Sequence, residues 1–444
     1  MLRVYVRRFI RDRRGGAAMI FGLSIIPIIF ITGMALDFTS AAQKRTRLNA
    51  AADAAALAAV TPYMMTQSNS AALTAATNMF NAAAANIGAA TVNPPTITLS
   101  NAGLVRTVTV SYTATSTNNF PNVFAYVTGT QHTTWPLSGF ATATSYSAPN
   151  INFYLMLDNS PSMDIAATTS GINTMVANTS AQGGCAFACH ESDPSVDNLG
   201  NPNGEDNYTL AQNLGVVTRI ELMAQATSSL MTTATDTEEA NNATYQMAIY
   251  TFNYTGLTTV YAPNNEPSSN LSAAGTAASG IDVLEVCHNN YLTCSTSNND
   301  TDTNFESAMS AVNSLMPNPG NGSANSTPQE VLFIVSDGVD DEVNTSSCSQ
   351  PLDGTRCQQP FNTSMCTTVK NRGIMIAVLY TEYLPLPTND WYNTWISPFQ
   401  SQLASNMQSC ASPGLYFEIT TDGDITAAMQ ALFQLAIATA RLSQ

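Results

Sequence analysis

Charge is scarce in this chain: only 10% of its 444 residues are Asp, Glu, Lys or Arg. Basic residues nearly vanish beyond position 47, where only Arg106, Arg219, Arg356, Lys370, Arg372 and Arg441 remain. Nine basic against two acidic residues give residues 1–47 a net +7, and six against 29 give the rest −23. So acidic a body excludes the basic footprint that nucleic-acid binding needs. Cysteine is missing from the first 184 residues, and the eight that follow lack the repeated CxxC spacing of a zinc site. Histidine is limited to His132, His190 and His288. None of them stands beside an evident serine or cysteine nucleophile, so no Ser/His/Asp hydrolase is marked.

One stretch, residues 17–36, carries no charge over twenty residues. At about 1.5 Å per residue it is long enough to cross a hydrocarbon core of roughly 30 Å. Arg3 to Arg14 flank it with positive charge, which places the N-terminus in the cytoplasm and everything after Leu36 outside. The run is long for a signal peptide and no A-x-A site closes it, so an uncleaved anchor is expected. Pro27 is tolerable in a spanning helix. The expected organisation is a basic cytoplasmic stub at 1–16, an inner-membrane anchor at 17–36 and an alanine-rich stalk helix at 37–62. A small α+β unit at 63–150 and a main domain at 151–444 follow. The body is rich in Asn, Ser, Thr, Gly and Ala, a neutral surface that suits the periplasm or another extracytoplasmic space.

Such a compartment permits disulfides. The cysteines are Cys185, Cys189, Cys287, Cys294, Cys348, Cys357, Cys366 and Cys410. Sequence does not fix connectivity; local pairing (185–189, 287–294, 348–357, 366–410) is the simplest arrangement.

From Ile151 onward short apolar runs alternate with helical patterns. Strands are expected at 152–157, 245–253, 256–261, 331–335, 374–379 and 415–419, and helices near 219–230, 304–316, 366–372, 391–408 and 425–442. This order predicts an α/β fold with a mostly parallel sheet covered on both faces. Two polar, cysteine-bearing segments, about 164–215 and 262–300, read as surface insertions with local disulfides.

The stretch Asn152-Phe-Tyr-Leu-Met-Leu-Asp158-Asn-Ser160-Pro-Ser162 ends a buried strand in an acidic-hydroxyl turn. Ligands in open parallel sheets bind beyond the carboxyl ends of strands, where this turn falls. One carboxylate and two hydroxyls form a hard-oxygen set suited to Mg²⁺, Mn²⁺ or Ca²⁺. Two later stretches complete it: Thr303 in Asp302-Thr303-Asn304 at a helix start, and Asp337 in the strand end Val331-Leu-Phe-Ile-Val-Ser-Asp337-Gly338. In these five positions, Asp158, Ser160, Ser162, Thr303 and Asp337, the chain resembles von Willebrand factor A domains with a metal-ion-dependent adhesion site. The resemblance implies a Rossmann-like fold and serine hydroxyls bound directly to the metal. It further implies that threonine and aspartates bind directly or through water, with one position left for a partner's carboxylate.

The N-terminus resembles a second family. Arg13-Arg14-Gly-Gly-Ala-Ala, Asp37 and Leu48-Asn-Ala-Ala-Ala-Asp-Ala-Ala-Ala-Leu-Ala are similar to the TadE/G-like proteins of Flp-type, tight-adherence pilus machinery. Members resembling TadG join this anchor to a von Willebrand A domain. Pilins of that system are cut after a glycine and carry Glu five residues on. Here the fifth residue after Gly16 is Phe21, which favours a retained anchor.

Three further features are given plainer readings. Cys185-Ala-Phe-Ala-Cys189-His190-Glu191 reads as a local disulfide with an exposed histidine rather than a metal or redox site. Asp340, Asp341 and Glu342 read as a solvated acidic loop rather than as outer or rim charges of the metal site, and Trp391 to Trp395 as packing rather than a ligand cage. The resemblances imply a non-enzymatic, inner-membrane component of tight-adherence pilus assembly. Its partner would be a pilus or envelope protein offering a carboxylate to the metal. Self-association into a homo-oligomer stays open. So do two other classes: a tether whose metal only stabilises the fold, and a metal-dependent extracytoplasmic hydrolase, for which no general base stands near the motif.

Overall fold

The computed structural model describes residues 15–88, 90–120, 129, 133–196, 200–288, 294, 301–344, 346–387 and 389–442. The basic residues Arg3 to Arg14, most of the segment 120–133 with His132, and much of 289–300 lie outside this set. The chain divides into two compact units, Met1–Ser147 and Ala148–Gln444.

The first unit is built on one continuous helix, α1 (Gly15–Ala58), about 66 Å long at 1.5 Å per residue. Its first half shows apolar side chains on all sides: Met19, Phe21, Leu23, Ile28 and Ile31 are more than half exposed. Ser24 and Thr32 satisfy their hydroxyls on the carbonyls of Ile20 and Ile28, at 2.7 and 2.8 Å. A helix apolar all round, with its polar groups bonded internally, suits a lipid environment. It is long and apolar enough to cross a membrane. The second half instead buries Ala41, Leu48, Ala52 and Ala55 at helical spacing. These small side chains let the helix lie close against α2 (Asn69–Ala84) and an antiparallel sheet.

That sheet comprises β1 (Ala90–Val92), β2 (Thr96–Ala102), β3 (Val105–Thr117) and β4 (Thr134–Tyr146). Strand β3 is central, with β1 and β2 along one side and β4 along the other. Two buried charges tie loops to this frame. Asp37 of α1 accepts the amides of Asn119 and Phe120, both at 2.9 Å. Arg106 donates to the carbonyl of Gln67 at 3.0 Å and to Asn69 at 3.3 Å.

In the second unit the strands and helices alternate. In chain order they are β5 (Ile151–Asp158), α3 (Thr169–Asn178), α4 (Asn207–Asn213), α5 (Arg219–Asn241), β6 (Tyr245–Asn253), β7 (Gly256–Tyr261), α6 (Leu271–Ala278) and α7 (Phe305–Leu315). They continue with β8 (Gln329–Ser336), β9 (Val339–Val343), β10 (Arg356–Pro360), α8 (Ser364–Asn371), β11 (Met375–Thr381), α9 (Gln400–Cys410), β12 (Tyr416–Ile419) and α10 (Ile425–Leu442). Six strands form one sheet in the order β12-β11-β8-β5-β6-β7. All neighbours are parallel except the edge pair β6–β7. The sheet is thus mixed, and the fold is α/β.

Every residue of β5 and β8 is buried, as a parallel sheet covered on both faces requires. The alternation of side chains sorts them into two cores. Phe153, Leu155 and Leu157 pack with α5, α6 and α10, while Tyr154 and Met156 pack with α7, α8 and α9.

Three expectations are corrected. The segment 262–300 is not wholly a surface insertion, because α6 buries Leu271, Ala274 and Ala278 in the core; its Ala/Gly-rich sequence hides a short buried helix. Asp340, Asp341 and Glu342 are not a solvated loop but the interior of β9, paired with β10 in a buried hairpin. Disulfides join Cys287 to Cys294, Cys348 to Cys357 and Cys366 to Cys410, but Cys185 and Cys189 are free thiols. Phe187 forms a bridge with Ile165, and the Ala188 amide donates to the Asp164 carbonyl at 2.8 Å. These contacts tie the segment to Asp164 and Ile165, so its path is set by the chain ahead of α3 and not by a bond between its two cysteines.

Candidate metal centre

Strands β5 and β8 run side by side in register, with Leu157 opposite Val335. Their carboxyl ends therefore bring Asp158 beside Ser336 and set Asp337 one residue further on. The chain leaves β5 through a single 3₁₀ turn, Pro161–Met163, whose proline suits the first helical position. This turn folds Ser160 and Ser162 back over the strand end. Asp158 Oδ1 accepts both the amide of Ser160, at 3.0 Å, and its hydroxyl, at 2.7 Å. The hydroxyls of Ser160 and Ser162 are 3.1 Å apart. Ser336 donates to the other oxygen, Asp158 Oδ2, at 2.6 Å.

Asp337 Oδ1 accepts the Val339 amide at 3.2 Å, and its Oδ2 has no hydrogen-bond partner among the described residues. The intervening Gly338 has φ +80°, and a Cβ there would meet Met407 at 3.0 Å. Glycine is thus required for the sharp exit from β8. Both carboxyls are wholly buried. Burial first, and the neighbouring Asp337 second, push Asp158 up to about 7. Burial also raises Asp337, against the partial opposition of Ser162, the Val339 amide and the Arg219 guanidinium.

Thr303 reaches the same place from the far side of the sequence. Its backbone exchanges two hydrogen bonds with Asp341 of β9, each 2.9 Å, and Asn304 caps α7 immediately after it. Ser162 and Thr303 line one cavity of about 240 Å³, together with Phe187, Arg356 and Trp391. The structure therefore brings all five expected residues to one end of the sheet. Two carboxylates that resist ionisation, a cluster of hydroxyls and an unpartnered carboxylate oxygen form an all-oxygen set. This chemistry fits a hard divalent cation.

Several residues at the site belong to no motif in the sequence. Ser336 directly precedes the expected aspartate. Arg219, buried near Asp337, and Arg356 are two of only six basic residues in the body, and that rarity was the available clue. Arg356 Nε and Nη2 grip Asp341 at 2.7 and 2.5 Å, Nη2 lies 3.4 Å from Asp302, and the guanidinium sits 5.3 Å from the Trp391 ring centroid. Trp391 is therefore part of the cavity wall as well as packing. Cys185 and Cys189 line this cavity too. Burial pushes both thiols above their usual range. His190 is half-buried rather than exposed, its Nδ1 3.0 Å from Asp206.

Residues 15–65 match the family described as Flp pilus-assembly TadE/G-like. The match covers the apolar helix and its alanine-rich continuation, and it supports a pilus-assembly protein with a membrane anchor. No curated protein matches the chain. Among solved structures, the pilus adhesin SpaC from Lactobacillus rhamnosus GG aligns at 10% identity and a TM-score of 0.32, over 79% of this chain and 34% of that one. This chain thus spans about a third of that structure's length. The PilB minor pilin from Streptococcus sanguinis aligns at 11% identity and a TM-score of 0.31, over 79% of this chain and 78% of that one.

Proposed function

We propose that this chain is a membrane-anchored, extracytoplasmic, non-enzymatic component of Flp-type pilus assembly, and that its second unit is a von Willebrand A domain that captures a partner protein. The strand order, parallel apart from one edge and covered by helices on both faces, supports the domain reading. The observation that carries the function is the pairing of Asp158 and Asp337, fully buried at adjacent strand ends, with Asp337 Oδ2 unpartnered among the described residues. Asp158, Ser160, Ser162, Thr303 and Asp337 would hold Mg²⁺, or Mn²⁺ or Ca²⁺. Such an ion supplies positive charge and an open coordination position to which a partner's carboxylate is drawn. The chain's part is to keep these oxygens in place: Ser336 and the Ser160 amide orient Asp158, and the Asp341 backbone fixes Thr303. Three disulfides in the second unit favour an oxidising compartment. With the basic N-terminal flank, they support a cytoplasmic N-terminus and a periplasmic body.

The test is capture of envelope proteins by the full chain in detergent, with Mg²⁺ and with EDTA, alongside Asp158→Ala. Metal-dependent capture that the variant loses is expected. Capture that survives both EDTA and the substitution would falsify the metal-dependent mechanism. A variant that keeps capture but melts earlier would instead identify the metal as a stabiliser of a structural tether.

A further inference from the structure

We infer that the first unit is seated on the lipid bilayer, with Phe120 and Trp135 set in the interface where α1 leaves the hydrocarbon core. This seat rests on α1 being a membrane anchor and is independent of the metal centre.

The buried face of α1 begins before its charge-free run ends. Among the described residues the first buried position of the helix is Gly33, three residues before Leu36, the last of that run. At 1.5 Å per residue Gly33 lies about 5 Å inside the end of the span. Gly22, in the same run, has nothing within 4 Å of where a Cβ would stand, whereas a Cβ at Gly33 would meet Cγ of Phe120 at 2.7 Å. The Phe120 ring therefore rests against the helix backbone, level with the last turn of the span. One turn further on, the Asp37 carboxylate accepts the amides of Asn119 and Phe120, both at 2.9 Å. A charge this close to lipid is costly unless it is buried and bonded, and Asp37 is both.

On the neighbouring face of the helix Phe38 meets the Trp135 ring edge-on, with centroids 6.4 Å apart. Phe38 follows Leu36 by two residues, so this pair stands about 3 Å beyond the span. The aromatic rings thus straddle the boundary. Packing leaves them open on their outer sides: Phe120 is 42% exposed, Trp135 37% and Phe38 64%.

An apolar patch continuous with a membrane span is covered by the lipid that surrounds the span. Tryptophan suits that level because its ring is apolar while its N–H stays hydrated. Residues 117–135 contain no Asp, Glu, Lys or Arg. After Asp37 the helix carries no charge until Lys44, about 10 Å further along its axis. Nothing at this level resists the headgroup layer or selects anionic lipid, so a neutral bilayer suffices. Because α1 runs unbroken from Gly15 to Ala58, span and seat move together. The contact fixes how deep the helix sits and holds the first unit on the surface instead of on a free stalk.

The test uses the full chain reconstituted in phosphatidylcholine vesicles, brominated either near the headgroup or at the chain ends. Emission of the wild type less that of Trp135→Phe isolates Trp135 from Trp391 and Trp395. Bromine near the headgroup should quench this difference strongly, and bromine at the chain ends weakly. A Trp135 signal that neither lipid quenches, in a chain that resists alkaline extraction, overturns the seat and leaves the anchor intact. Release of the chain by alkali overturns both. In cell membranes, photoreactive benzoylphenylalanine at position 120 should label lipid, whether or not Trp135→Phe folds. Labelling of a second protein in place of lipid would make this surface a protein interface and overturn the inference.

Discussion

The hydroxyl of Ser336 donates to Asp158 Oδ2 at 2.6 Å, joining the carboxyl ends of two neighbouring parallel strands. Asp158 is the end of β5 and Ser336 the end of β8, so this bond aligns the two halves of the oxygen cluster. Ser336→Ala would leave a buried carboxylate oxygen without its donor, which costs about 1–3 kcal/mol. Denaturant unfolding in EDTA should show that loss, and an unchanged midpoint would mean that Oδ2 finds a substitute donor.

The same acid gives a pH dependence. In the folded chain Asp158 is pushed up to about 7 from its usual 3.8. The folded state therefore binds its proton more tightly than the unfolded chain does. This contribution is fully present below about pH 4 and is lost as pH rises through about 7. Hard cations bind the ionised carboxylate. The gain in melting temperature on adding Mg²⁺ should therefore grow as pH rises through 7 and then level off. A gain that is constant across the range would show that Asp158 is not a ligand.

Arg356 is the counter-charge for a buried acidic hairpin, held by Asp341 and close to Asp302. Arg356→Ala would leave both acids uncompensated, a loss of about 3–5 kcal/mol by analogy with other broken buried pairs. Because the Asp341 backbone holds Thr303, Mg²⁺ affinity should fall with it. Calorimetric Mg²⁺ titration above the acid transition is the check; full affinity in a folded variant would separate the hairpin from the site.

This hairpin also marks where sequence reading stops. The apolar strands β5 and β8 end in Asp158 and Asp337 with a clear pattern change, and these positions were legible because burial leaves a continuous hydrophobic run. Asp341 looks like a solvated charge because its compensation comes from Arg356, fifteen residues later, and Asp340 because its donor is the backbone amide of Phe305, at 3.0 Å. Thr303 was legible only as a residue type at a helix start, since the bridge that places it is a backbone contact with Asp341. Helix α6 is hidden in the sequence because alanine and glycine pack in a core without an apolar signature. Closeness in sequence suggests a bond between Cys185 and Cys189, but backbone contacts to Asp164 and Ile165 set the course of that segment and both thiols are free.

Thiol counting tests that last correction. The denatured, unreduced chain should take up alkylating agent at two cysteines, Cys185 and Cys189, and at eight after reduction. Uptake at none before reduction would restore the fourth disulfide. Of the three bonds, Cys366–Cys410 closes the longest loop, with a sequence separation of 44. The double variant Cys366→Ala/Cys410→Ala should lose the most stability, about 4 kcal/mol on the chain-entropy estimate.

Glu330 supplies a second titration, far from the metal. It lies at the start of β8, seven residues before Asp337, or about 23 Å along an extended strand. It accepts from Asn152 at 3.1 Å, and among the described residues its Oε2 has no partner within hydrogen-bond distance. Burial pushes it up to about 8 from its usual 4.5, with Asn152 and Tyr154 pulling back. The sign follows as before: its contribution is complete below about pH 4.5 and disappears as pH rises through about 8. Glu330→Gln removes this titration and can keep the bond from Asn152. The variant should therefore match the wild type near pH 5 and outlast it above pH 8, equally with Mg²⁺ and with EDTA. Thermal unfolding at the two pH values decides it, and a variant less stable at both would mean that the ionised carboxylate has a partner.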